Sequence, residues 1–156
     1  MQNKSSGHYR KFCLMLGLSF MAMYVTMYLN TYSIDHVYFS LTRFYMTCLG
    51  ISAMALIMLF VMINMYESRK KNISIVVGSI ILFSTALFLV RSQKPIIGDV
   101  LWMKAMIPHH SIAILTSERA DLKDPDVKKL SVSIIKAQKK EIEEMKIMIK
   151  RLEKKK

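Results

Sequence analysis

Residues 44–66 read FYMTCLGISAMALIMLFVMINMY, twenty-three positions without a charge. A helix rises ~1.5 Å per residue, so this run can cross the ~30 Å apolar core of a bilayer. Lipid offers no partners for backbone N–H and C=O groups, which makes a helix the default for such a segment. Two further uncharged runs lie either side of it, Phe12–Leu29 and Ile73–Val90, eighteen residues each. The sequence therefore predicts an all-α chain with three transmembrane helices, at about 12–29, 44–66 and 73–90. These make up a membrane region of residues 1–92, and residues 93–156 form a separate soluble unit. The first run does not read as a cleavable signal, since its apolar stretch is long and no small-x-small site follows it.

The charges divide along the same line. Overall the chain is 53% hydrophobic and 22% charged, with a net charge of +12. The first 90 residues hold only seven Lys/Arg and two Asp/Glu, while the remainder holds sixteen and nine. A uniform soluble fold would not divide its charges this way. Lys and Arg near the span ends set the direction. Lys4, Arg10 and Lys11 precede the first run, Arg69, Lys70 and Lys71 separate the second from the third, and residues 30–43 carry only Arg43. The N-terminus and the second loop are thus expected in the cytoplasm and residues 91–156 outside it, which in a bacterial inner membrane means the periplasm. Membrane lipid headgroups are then the simplest partner for the basic tail. No nucleic-acid-binding motif is present, so no nucleic-acid partner is expected. Cys13 and Cys48 fall near opposite ends of their runs, ~20 Å apart along the membrane normal, too far for a disulfide.

The soluble part reads as two helices. Pro95 and Gly98 mark the exit from the third run, and Asp99 offers an N-cap for a helix from about Val100 to Ala120, with Pro108 inside it. The turn around Asp121–Asp126 follows, with Asp124 as N-cap and Pro125 in the first helical position. The second helix is expected from Pro125 to about Glu153. Its apolar stripe is Leu130, Ile134, Ile135, Ile142, Met145, Ile149 and Leu152, with lysines over much of the rest. A hairpin this small buries little, so pairing with a second copy into a four-helix bundle is the expected remedy.

The chemistry concentrates in Met103-Lys-Ala-Met-Ile-Pro-His-His110. Met103, Met106 and His110 follow three- and four-residue steps on one face, with His109 beside them. Gln138, Glu141, Met145 and Met148 form a stripe on the second helix. Antiparallel packing would bring imidazole, thioether and carboxylate together. Thioether with imidazole suits Cu(I), and imidazole with carboxylate suits Cu(II) or Zn(II). The plainer reading is core packing for the methionines and an interhelical pair for Glu141. The same applies to Met54, Met58, Met62 and Met65 in the second run, whose spacing suits packing better than a metal path. No activated nucleophile, phosphate loop or H-E-x-x-H appears, so an enzyme is not expected.

The hairpin also resembles the domain-of-unknown-function 305 family, which includes periplasmic copper-binding proteins of the CopM type. Met106-Ile-Pro-His-His110, Ala113-Ile114, Glu118 and Ala120 carry the resemblance on the first helix. Asp124-Pro-Asp-Val127, Leu130, Ile134-Ile135, Ala137-Gln138, Glu141-Ile142 and Met145 carry it on the second, so that it covers about residues 99–152. It implies a ferritin-like helical bundle that binds copper through Met106, His109, His110 and Met145, with Met103 and Met148 as neighbours. The chain departs from the pattern in its membrane anchor, in having one hairpin, and in Leu115-Thr116 where the family often has a methionine. The expectation is a non-catalytic copper-binding membrane protein of the bacterial envelope. It would be homodimeric, sequestering copper or exchanging it with copper-exporting or copper-accepting envelope proteins. The competing expectation is a structural or interaction subunit of a membrane complex with no metal role.

Overall fold

A computed structural model describes residues 2–93 and 96–154. Pro95, one of the two residues expected to mark the end of the third run, lies outside the described residues. The described chain is all-α, with five α-helices in the order α1 (Gln2–Thr26), α2 (Leu41–Val61), α3 (Arg69–Ser92), α4 (Asp99–Arg119) and α5 (Pro125–Glu153). Short 3-10 turns occupy Ile34–His36 and Ile63–Met65.

Two helices, α2 and α3, are long and apolar enough to cross a membrane. This corrects the expectation of three spans. The first uncharged run continues to Leu29, but α1 stops at Thr26 and the chain turns there, with the Leu29 N–H bonded to the Thr26 carbonyl. From Phe12 that leaves only ~22 Å of uncharged helix, short of a bilayer core. The second run is corrected too. Its helix begins at Leu41 and ends at Val61, where the backbone turns away although residues 62–66 stay uncharged. Helix α3 starts at Arg69, earlier than Ile73, since the Ser68 hydroxyl accepts the Lys71 N–H and caps it.

The chain divides into two compact units, residues 1–25 with 42–94 and residues 26–41 with 95–156. In the first, Tyr9 and Phe12 of α1 pack with Ala55 and Leu59 of α2 and with Tyr66. The Tyr9 hydroxyl donates to Asn72 Oδ1 at 2.7 Å and accepts the Ser68 N–H at 3.1 Å. At the other end of α1, Phe20 and Tyr24 meet Phe44 edge-on, and the Met23 methyl lies against Gly50, where a Cβ would collide with it. Helix α1 therefore runs antiparallel along α2. Met58 and Met62 pack against this cluster, so their spacing serves packing. Cys13 and Cys48 are both free thiols.

The second unit is the hairpin plus residues 26–41. Helices α4 and α5 are antiparallel and share a core of Met103, Ile107 and Ile114 against Ile142, Met145 and Ile149. Asp124 caps α5 as expected, its Oδ1 accepting the N–H groups of Asp126 and Val127 at 2.9 and 3.0 Å. The cap of α4 is Gly98 rather than Asp99, which instead places its carboxylate in the first turn, where the helix dipole favours it. Residues 26–41 fold onto the hairpin, and Tyr38 joins its core. That added cover supplies apolar burial which two helices alone would lack.

Candidate functional site

The hairpin presents two different flanks, because both helices place different side chains on either side of the shared core. The first flank lies under residues 26–41. There Ser111 is wholly buried at 0% exposure, and its Oγ accepts the Tyr32 N–H at 2.7 Å. His36 Nδ1 lies 3.0 Å from the same oxygen, and His36 is only 8% exposed. Burial holds the His36 pKa below its ordinary value, with Lys146 adding to that and the carboxylates of Asp35 and Glu143 opposing it. A neutral imidazole protonated on Nε2 satisfies this geometry. It accepts the Ser111 hydroxyl at Nδ1, and its Nε2–H faces Asp35 Oδ1 at 3.8 Å.

Asp35 completes the clasp. Its Oδ2 accepts from Lys146 Nζ at 2.6 Å, and Lys146 also reaches Glu143 at 3.0 Å. The Lys146 bond, then the Ser33 hydroxyl, draw the Asp35 carboxyl down to about 2. Nearby, Lys139 bonds Glu118 at 3.0 Å and lies over the Tyr32 ring. Ser111, His36 and Asp35 are the residue types of a hydrolytic triad. A nucleophile must reach its substrate, however, and this hydroxyl is sealed under the loop. The group acts as a latch. Sequence reasoning missed it because residues 31–36 and Ser111 are some 75 positions apart. The available signal was Asp35-His36, an acid beside a histidine in the stretch between the first two uncharged runs.

The second flank carries the expected metal donors. His110 Nδ1 lies 3.1 Å from Glu141 Oε2, across from α4 to α5. Despite this ion-pairing distance, Nδ1 is shielded from solvent and makes no hydrogen bond. Burial is the main reason the His110 pKa falls below its ordinary value, and Glu141 opposes the shift. The lowered pKa favours the neutral ring, the form in which imidazole binds a metal.

Antiparallel register relates the remaining donors. With His110 level with Glu141, one turn along α4 and α5 brings Met106 level with Met145. Met103 and Met145 lie in the hairpin core, and Met106 packs against it. His109 is exposed and its ring centre is 6.4 Å from that of His110. Met148 is also on the outside of α5. The fold thus gathers Met103, Met106, His110, Glu141 and Met145 and leaves His109 and Met148 at the periphery. Among the described residues no three or more His, Cys, Asp or Glu side chains converge as a metal site. A site built on His110 would need thioether donors, which favours a soft ion over zinc or a hard cation.

The domain-of-unknown-function family DUF305 matches residues 97–156. An uncharacterized protein of Acanthamoeba polyphaga mimivirus is 35% identical over 135 residues, covering 85% of this chain and 86% of the relative. That alignment is longer than the matched domain, so the similarity extends into the N-terminal helices. No solved structure matches the chain.

Proposed function

The chain belongs to the DUF305 family, and on that premise we propose that it is a membrane-anchored, non-catalytic copper-binding protein. The observation that supports this most is the His110 ring, shielded at Nδ1 and without a hydrogen bond, 3.1 Å from a carboxylate and, by helix register, one turn from two thioethers. An orphaned buried nitrogen costs stability, about 1–3 kcal/mol for a typical group, unless something binds it. His110 would supply nitrogen, Met106 and Met145 sulfur, with Met103 and Glu141 beside them. Copper is cargo in this reading, to be held or passed on.

The anchor follows from the two apolar helices. Residues 26–41 and 95–156 make one compact unit, yet α2 and α3 lie between them in sequence. Two crossings return a chain to the side it left, so spanning by both helices is consistent with that unit. Helix α1, antiparallel to α2, accompanies them in the apolar phase through exposed Leu14, Leu18 and Met21. Arg69, Lys70 and Lys71 put the α2–α3 turn on the cytoplasmic side and the metal-binding unit opposite. The proposal requires a membrane and this sidedness. It does not require a bacterial envelope, and the relative is viral.

Two copies would pair through the second flank. The first is covered by residues 26–41, whereas Leu130 remains 59% exposed on the second, in line with Ile134 and Met148. Pairing there would bury this strip and bring two His110 rings into one bundle.

Competitive Cu(I) titration of the full chain in detergent tests the reading. Met106→Leu with Met145→Leu should weaken affinity by at least about tenfold, or about 1.4 kcal/mol. Equal affinities would remove these sulfurs from the site. A structural role for the hairpin has one observation in its favour, the membership of Met103 and Met145 in the apolar core. Under it, Cu(I) leaves the melting temperature of the full chain unchanged, because a ligand stabilises only the state it binds.

A further inference from the structure

Helix α5 is two-sided in its charge as well as its packing. The side of the core that holds His110 and Glu141 carries Val127, Leu130, Ile134 and Met148 and no lysine. The other side carries the lysines. Those nearest the loop, Lys139 and Lys146, are bonded to Glu118 and Asp35. Farther round the helix, Lys129, Lys136 and Lys150 form no ion pair among the described residues. They share that strip with Val132 and Ile147, each 66% exposed. Among the described residues the one acid on the strip, Glu143, is already bonded to Lys146. The metal site accounts for none of this.

The structure assigns to this strip, in our reading, the role of docking on the headgroups of anionic phospholipids. The chemistry selects among polyanions. Lysine ammonium groups meet any phosphate, but Val132 and Ile147 gain nothing from a nucleic-acid backbone and bury favourably at the headgroup–acyl boundary. They are fifteen residues apart, ~22 Å along the helix, with the lysines between and beside them. The strip also holds no aromatic residue on which a base could stack. Each lysine near an anionic surface adds to the attraction, and the sum falls steeply with salt. Only residues 93–98 separate α3 from α4 in sequence, which tethers the unit bearing the strip to an apolar helix. The assignment rests on the membrane reading of α2 and α3 and is independent of copper.

The test uses the full chain in lipid nanodiscs, either purely zwitterionic or with about a third phosphatidylglycerol. Acylation rates of individual lysines are read by mass spectrometry, with Lys123 in the α4–α5 turn as internal reference. The assignment expects Lys129, Lys136 and Lys150 to react at least roughly threefold more slowly in the anionic discs, with the protection lost at about 0.5 M salt. Equal rates in both disc types would overturn it. Protection that appears only on adding an oligonucleotide would overturn it in favour of a nucleic-acid partner. A chain that enters neither disc would overturn the membrane reading, and this assignment with it.

Discussion

Changing Ser111 to alanine should release residues 26–41 from the hairpin while leaving the hairpin folded. Ser111 Oγ is the acceptor for the Tyr32 N–H at 2.7 Å and the partner of His36 Nδ1 at 3.0 Å. Alanine has nearly the same volume, so the packing loss is small. The cost falls on the two groups left without a partner. An unsatisfied buried group costs ~1–3 kcal/mol. Tyr32 is partly exposed and takes the lower end, whereas His36 is buried and takes more. Together they should cost about 2–3 kcal/mol, which shifts the loop-opening equilibrium on the order of 30- to 150-fold. Hydrogen exchange read by mass spectrometry on the full chain in detergent measures this directly. Peptides covering residues 27–40 should lose protection by that factor, and peptides from the α4 and α5 centres should change little. Ser131→Ala is the control. Ser131 also donates across the hairpin, to the Ser117 carbonyl at 3.1 Å, but it touches nothing in the loop. Unchanged exchange at 27–40 in Ser111→Ala would refute the latch. A uniform loss across α4 and α5 would show that Ser111 supports the hairpin instead.

The latch should also weaken in mild acid. Burial lowers the folded pKa of His36, so below about pH 6.5 the opened loop binds more protons than the closed one. Closure is then fully favourable above that pH and is lost as pH falls through the lowered folded value. Loop protection that rises on acidification would contradict the sign. In the hairpin core, Ile142→Ala removes a side chain only 1% exposed and should cost about 2–5 kcal/mol, enough to unfold so small a unit. Ile147→Ala, at an exposed position of the same helix, should stay within about 0.5 kcal/mol by thermal melting.

How much of this was legible depended on how local the cause was. The bounds of α5 could be read directly, because Asp124 and Pro125 start the helix by contacts within three residues. The apolar face Ile142, Met145 and Ile149 follows from spacing, and the structure places it in the core. Span ends were less readable. The uncharged run continues through residues 62–66, yet the helix stops at Val61, because lack of charge marks compatibility with lipid and says nothing about backbone direction. The same confusion lengthened the first run and turned two candidate spans into three. The latch was out of reach, since no periodicity ties His36 to Ser111. In the hairpin, spacing put Met103, Met106 and His110 on one face of α4, and the structure has Met103 in the core with Met106 packed against it. Spacing could not rank His109 against His110, whereas the structure separates the exposed ring from the half-buried one.

That separation gives the most direct measurement. Competitive Cu(I) titration of the full chain should be repeated with His110→Ala and His109→Ala side by side. Loss of at least about tenfold in affinity for His110→Ala, with His109→Ala near the parent, is the expected result. Equal affinities for the parent and His110→Ala would contradict the account, whatever His109→Ala does.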